Sequence, residues 1–294
     1  MLPLAFDVRT SPSGRPLVRV QITDVRIYVE VLSDAGSPPG TRPVLLALHG
    51  GPGLDHTVLR PGIDGLRDDF QLVLIDQRGH GRSDRDVPAN WTLDRWADDV
   101  VEVCDALDIH EPIVLGSSFG AAVALNYAAR HPAHPAGVIS VSGRARQDRA
   151  ACVRAFARLA GAQVAEVAAR YYDEPNLETG AAYREICMPF LSTSHGHTAA
   201  AFGQQMEITN RELMNHWLTG EDRTFDLRDS LQNVACPSLI MTGDADPVAP
   251  VEMAEELVDV LGSRAELSVV GGAGHGVFRD HPDEFRSIIR GWAT

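Results

Sequence analysis

Three short stretches carry the residue types of acyl-transfer chemistry: "GSSFG" (116–120), "GDADPVAP" (243–250) and "GGAGHGVF" (271–278). A serine hydroxyl is a weak nucleophile until a base removes its proton, and the base in turn needs an acid to orient it. Ser118 stands between Gly116 and Gly120, with small neighbours that permit a sharp strand-to-helix turn. Such a turn lifts the hydroxyl clear of a sheet and places it at a helix N-terminus, whose amides favour negative charge. Asp246 and His275 follow in the chain order Ser, Asp, His. Asp244 is the competing acid. Either aspartate can serve the backbone of the helix that follows, and that structural role is assigned to Asp244. The spacing G-x-x-D-x-x-x-P, Gly243 to Pro250, favours Asp246. His275 lies among glycines after the last apolar run, a setting that no other histidine of the chain shares.

Attack on an acyl carbon creates an oxyanion, which needs two backbone donors. One is the Phe119 amide, next to the serine. The other is expected from a loop after an earlier strand, and "HGGPG" (49–53) is that loop. Its Gly51 can bring an amide to the reacting centre with no side chain in the way. Loss of one such donor costs about 3 kcal/mol of transition-state stabilisation. A phosphate cradle is the rival reading, but neither GxGxxG nor GxxxxGK[ST] occurs in this stretch.

These groups must be held by a framework, and the apolar patterning predicts one. "PVLLALH" (43–49), "FQLVLID" (70–76), "PIVLGS" (112–117), "GVISVS" (137–142), "PSLIMTG" (237–243) and "AELSVVGG" (265–272) are nearly continuous apolar runs. Runs of that kind suit strands buried on both faces of a parallel sheet. Residues 17–33 instead alternate at a period of two, which predicts two half-exposed antiparallel strands meeting near Thr23 and Asp24. Helical periods lie between the strands at 92–108, 119–131, 250–262 and 282–292, with Thr92 as an N-cap. Strands alternating with helices imply an α/β fold, a mostly parallel sheet covered on both faces. Between about Arg144 and Asn233 no buried strand is evident. "DRAACVRAFARLAG", "AQVAEVAARYY", "GAAYREICMPFL" and "NRELMNHWL" all read as helices. The expected organisation is a core of residues 1–143 and 234–294 with a helical cap of residues 144–233 inserted into it. Ser118, Asp246 and His275 then share the carboxyl edge of the sheet, where open α/β sheets bind ligands.

Bulk properties narrow the partners. A formal net charge of −14 argues against nucleic acid. The arginines of "GRARQDR" (143–149) read as a solvated face. Cys104, Cys152, Cys187 and Cys236 are scattered without metal spacing, as expected of reduced thiols in a cytoplasmic protein. The "HGH" of 195–197 lacks a third ligand and reads as a solvated loop. The first sixteen residues lack a secretory apolar core, and no apolar run approaches the roughly 18 residues that cross a bilayer. The expectation is a cytoplasmic protein with no membrane partner, acting on a small-molecule or short-peptide substrate.

"HGGPG", "DQRGHGRSD" (76–84), the serine elbow, "GDADPVAP" and "GHG" (274–276) together resemble the proline iminopeptidase group of α/β-hydrolases. The likeness covers about residues 20–143 and 234–294. It implies Ser118 as nucleophile, Asp246 as acid, His275 as base, and Gly51 and Phe119 as oxyanion donors, with no metal or organic cofactor. Asp76 and Arg78 receive a structural role in shaping a loop beside the pocket. The elbow departs from the group's GGSWG, with Ser117 and Phe119 in place of a glycine and the tryptophan. The group's peptidases hold the substrate's terminal ammonium with cap glutamates. The cap here carries Glu166, Glu174, Glu178, Glu185, Glu207, Glu212 and Glu221, none within a matching motif. Glu207 and Glu212 are the candidates, and a solvated helix face is the alternative for any of them. The expected activity is that of a serine hydrolase working through an acyl-enzyme, as an iminopeptidase-like aminopeptidase or amidase. A carboxylesterase or lactonase is the first alternative. A ligand-binding protein on a hydrolase scaffold that has lost catalysis is the second.

Overall fold

The computed structural model describes residues 6–10, 16–32, 42–194 and 209–293. Nine strands form one sheet in the order β1-β2-β3-β5-β4-β6-β7-β8-β9. They are β1 (Phe6–Thr10), β2 (Pro16–Gln21), β3 (Arg26–Leu32), β4 (Val44–Leu48), β5 (Gln71–Asp76), β6 (Ile113–Ser117), β7 (Gly137–Val141), β8 (Ser238–Gly243) and β9 (Ala265–Val270). β1, β2 and β3 run antiparallel, and β3 joins β5 antiparallel. From β5 through β4 to β9 every pairing is parallel. The six apolar runs and the alternating hairpin all form strands, but β9 is a half-exposed edge strand and not buried on both faces as its run predicts, because among the described residues no further strand or full layer covers the edge. β1 is an additional edge strand, not anticipated from the sequence.

Strands β4 to β8 are largely buried on both faces because each face has its own core, whereas β9, at the sheet edge, is mostly half-buried or exposed. Along β4, Leu46 and Leu48 join one apolar cluster while Leu45 and Ala47 join the other. This is the period-two alternation of a strand covered on both sides. The first face is covered by α2 (Leu93–Leu107), α3 (Phe119–Arg130) and a later helix at Val251–Leu261. The opposite face packs Ile63 from α1 (Arg60–Ile63), with Phe285 and Ile289 from the last helix, Pro282–Trp292. Thr92 caps α2 as its sequence predicts, accepting a hydrogen bond from the Arg95 amide at 3.2 Å.

Between β7 and β8 lie α4 (Arg149–Ala160), α5 (Ala162–Asp173), α6 (Leu177–Ile186) and α7 (Arg211–Thr219). Phe156, Ala165, Ala168, Tyr183 and Cys187 give this insertion a small core of its own. Its two ends meet, since Arg146 bridges to Asp226 and the Leu227 amide donates to the Ala145 carbonyl at 2.8 Å. The remaining helices are α8 (Val251–Leu261), α9 (Val277–Asp280) and α10 (Pro282–Trp292). Among the described residues no helix is long and apolar enough to cross a membrane. All four cysteines are buried and unpaired.

Candidate active site

β4 and β6 are adjacent, and the chain leaves them toward opposite sides of the sheet. Their carboxyl ends therefore border the crevice of a topological switch point. The loop after β6 is a single residue, Ser118, which also begins α3. Its backbone sits at φ 54°, ψ −116°, a left-handed conformation that L-residues avoid. The flanking glycines are forced by close approach. A Cβ on Gly116 would meet the Gly120 carbonyl oxygen at 2.0 Å, and one on Gly120 would meet the Leu48 carbonyl oxygen at 2.4 Å. The turn thus holds helix α3 directly against β4 and β6.

Ser118 Oγ lies 2.9 Å from His275 Nε2. On the other side of the ring, His275 Nδ1 is 2.8 Å and 3.0 Å from the two carboxylate oxygens of Asp246. With Nδ1–H donating to the carboxylate, Nε2 is left to accept the serine proton. Asp246 is fully buried and also accepts from the amides of Val248 and Ala249 at 2.8 and 2.9 Å. Burial works against its charge, but the His275 ring and these two amides outweigh burial and hold the carboxyl below its usual range. Asp244 accepts from the Gly272 amide at 2.7 Å, so it braces the last loop, not the helix that follows.

The histidine loop is itself bolted to the inserted helices, through a residue the motifs did not single out. Asp280 accepts from the Gly274 amide at 2.8 Å, the Thr193 amide at 3.1 Å and the Ser194 hydroxyl at 3.1 Å. The Leu191 carbonyl accepts from the His275 amide at 2.9 Å. His275 is thereby fixed from both the core and the insertion.

Ser118 and His275 open into a cavity of about 290 Å³ that is also lined by Gly50, Gly51, Pro52 and Phe119. The amides of Gly51 and Phe119 donate to no group among the described residues. Gly51 adopts φ 134°, and a Cβ there would lie 3.1 Å from the Gly53 nitrogen. A side chain at Gly51 is therefore strained by the backbone conformation and crowded by the loop's own atoms. Phe119 is buried, its ring 4.9 Å from Trp96 and 5.0 Å from Trp217 of α7. The elbow phenylalanine is accommodated by packing under the inserted helices.

The cavity walls correct two expectations. Glu212 is exposed in the first turn of α7, where an acid complements the helix N-terminus, and it does not line the cavity. Glu207 lies outside the described residues, as does 195–197. Glu166, Glu174, Glu178 and Glu185 are exposed, and Glu221 accepts from the Leu93 amide at 2.8 Å, capping α2. The carboxylate that does line the cavity is Asp222. It is bound by the second correction: Arg144, read above as solvated, is a cavity residue whose Nη2 donates to Asp222 Oδ1 at 2.6 Å. Gln147 Nε2 donates to the other carboxylate oxygen at 3.1 Å. Nothing in the local pattern separates Arg144 from Arg146, which points to Glu256 on α8 instead. Tyr171, Tyr172, Tyr183, Met188, Met214, Trp217 and Phe225 supply most of the remaining wall.

A buried histidine that is also paired with carboxylates lies behind the first loop. His56 sits between Asp76 at 2.6 Å on Nδ1 and Glu30 at 3.0 Å on Nε2, and Arg60 donates to Glu30 at 2.7 Å. Asp55, His56 and Asp76 approach one another closely enough to bracket an ion. Both ring nitrogens of His56 are already engaged by carboxylates, which makes the group an ion-pair network. Arg78 is fully buried among Asp24, Asp86 and Asp99. Asp76 and Arg78 thus have the structural setting expected of them.

The fold and this constellation define the class. The α/β-hydrolase fold family matches residues 43–282, and the chain belongs to that family and is a hydrolytic enzyme. Within it the chain is similar to proline iminopeptidases, being 25% identical to that of Thermoplasma volcanium over 290 residues, 92% of this chain and 94% of the relative. It is equally similar to RutD of Caulobacter sp. (strain K31), named as a carbamate hydrolase, at 26% identity over 86% of this chain and 91% of the relative. The solved structure of a thermophilic esterase from Thermogutta terrifontis with malate bound superposes with a TM-score of 0.72 and 25% identity, covering 94% of this chain and 97% of the esterase.

Proposed function

We propose that the protein is a serine hydrolase that cleaves a small-molecule ester or lactone through an acyl-enzyme. The observation that carries the reading is the unbroken chain from Ser118 Oγ through His275 to buried Asp246, at 2.9 Å and 2.8 Å. His275 Nε2 takes the proton from Ser118 as the oxygen attacks the acyl carbon. The amides of Gly51 and Phe119 receive the oxyanion, and Asp246 stabilises the imidazolium. His275 then gives its proton to the leaving alkoxide. Water, activated by the same imidazole, releases the acid and restores Ser118. Residues 144–233 act as a cap that supplies the substrate-facing wall.

The choice of an ester over an aminoacyl amide rests on the cavity. Relatives of equal identity are named for peptide, carbamate and ester substrates, so likeness does not choose among them. An N-terminal ammonium needs a carboxylate free to meet it. Among the described residues the lining offers only Asp222, whose charge is already balanced by Arg144 and which also accepts from Gln147. The rest of the wall is largely aromatic and aliphatic, which suits an acyl group without an ammonium.

The test is a substrate profile of purified protein with short acyl esters, lactones and prolyl amides. Turnover of acyl esters that bear no amino group, abolished by Ser118→Ala, is the expected result. A rate that demands a free α-amino group and disappears on N-acetylation would restore the peptidase reading. Failure of a fluorophosphonate to label Ser118 in the folded protein would instead favour a binding protein that has lost catalysis.

A further inference from the structure

The charged groups around the cavity are out of keeping with the molecule as a whole. The chain carries a formal net charge of −14, yet its candidate site is lined by Arg144, Arg184 and Arg279 and by one carboxylate, Asp222. Arg279 is buried and paired with Asp280. Arg184 is exposed and forms no ion pair among the described residues. Arg144 is the unusual member. Its side chain is 17% exposed, and its guanidinium lies 5.6 Å from the centroid of the Phe225 ring. Its fork is only partly used. Nη2 donates to Asp222, while Nε is buried without a partner and Nη1 has no partner among the described residues. Gln147 Oε1, beside it, is buried and also unpaired.

A guanidinium with a buried N–H left unmet carries that group's desolvation penalty without return, which favours a further acceptor beside it. Asp222 meets only Nη2 of the Arg144 fork and leaves Nε unmet. The aromatic wall lowers the local dielectric and strengthens any charge-assisted bond made there. A planar oxyanion is the partner that a guanidinium fork matches geometrically. A cation has no equivalent place among the described residues, since the one lining carboxylate, Asp222, is 4% exposed and its charge is paired with Arg144.

Building on the ester or lactone reading above, we propose that the substrate carries a carboxylate apart from the bond cleaved, and that Arg144 receives it. Hydrolysis of such a half-ester releases an alcohol and a dicarboxylate, and lactone hydrolysis releases a hydroxylated dicarboxylate. The reaction that supplies the substrate is one that leaves a free carboxyl group beside an ester.

Binding tests this without relying on turnover. Glutarate, glutaramide (the neutral diamide) and 1,5-diaminopentane are titrated calorimetrically into Ser118→Ala protein. Glutarate is expected to bind at least tenfold tighter than either other probe. That preference should fall to near unity in Ser118→Ala combined with Arg144→Gln and Asp222→Asn, a set that leaves no buried charge unpaired. Arg144→Lys should retain part of it. Circular dichroism and thermal unfolding confirm that each variant is folded. Equal binding of glutarate and glutaramide, tighter binding of the diamine, or a glutarate preference that survives Arg144→Gln/Asp222→Asn would overturn the assignment. The ester profile of the wild-type protein judges the hydrolase reading separately, so the two can fail independently.

Discussion

Two histidines in this molecule have the same first partner and opposite chemistry. His56 and His275 each present Nδ1 to a fully buried aspartate, Asp76 at 2.6 Å and Asp246 at 2.8 Å. The difference lies at the other nitrogen. His56 Nε2 meets the carboxylate of Glu30, whereas His275 Nε2 meets the hydroxyl of Ser118. Exposure differs too, the side chains being 2% and 14% accessible. Burial works against the His56 charge, but two carboxylates outweigh it and raise the ring to about 9. It is a locked imidazolium with no proton to exchange with a ligand. His275 has one acid only, and a neutral neighbour that can give it a proton. An Asp–His pair therefore does not set the role of the ring by itself: a second carboxylate locks His56 as a cation, while the Ser118 hydroxyl leaves His275 suited to the role of base proposed above.

The comparison can be broken most sharply at the serine. Ser118→Ala should lower kcat on the order of 10⁶-fold, as removal of an activated nucleophile does, with unchanged thermal unfolding. Steady-state kinetics with the preferred ester measures this. Asp246→Asn comes next, with a loss of roughly 10⁴-fold, because the wrong ring tautomer is then stabilised. An Asp246 variant within tenfold of wild type would show that the two aspartates do similar work.

Asp76→Asn should reverse the pattern. Removing one partner from a buried charge network costs about 3–5 kcal/mol of stability. Urea unfolding should show that loss, while kcat per folded molecule stays within severalfold of wild type. The smallest effect is on the pH dependence of stability. The raised His56 pKa stabilises the fold fully below the ordinary value of 6.5, and this contribution is lost as pH rises through about 9. His80 is the mirror case. Burial, with His49 beside it, pushes His80 down to about 3, so its contribution is present above 6.5 and lost as pH falls toward 3. Urea midpoints should therefore peak near neutrality and decline on both sides. His56→Gln should remove the alkaline decline and leave the acidic one.

The framework was legible because burial on both faces of a parallel sheet writes itself as unbroken apolar runs. β4 through β8 follow directly from such runs. Ser118 was legible because its neighbours must be glycine where β6, α3 and β4 approach within van der Waals contact. β1 was not legible, since an edge strand has no such requirement. Asp280 was hidden for another reason. Its four acceptor contacts are to groups in two separated segments, at 192–194 and 274, so no local spacing signals them.

The sequence alone determined the order of Ser118, Asp246 and His275 and the sheet edge that gathers them, because local backbone sterics and periodic burial are properties of neighbours in the chain. It did not determine the electrostatics of either histidine or the wall facing the serine. Glu30, His56 and Asp76 come from separate elements, as do Arg144 and Asp222, which are 78 residues apart. Whether a charge is exposed, neutralised or left with an unmet donor depends on which distant groups packing brings within hydrogen-bond reach and on the water that packing removes. Only the tertiary structure decides those two things.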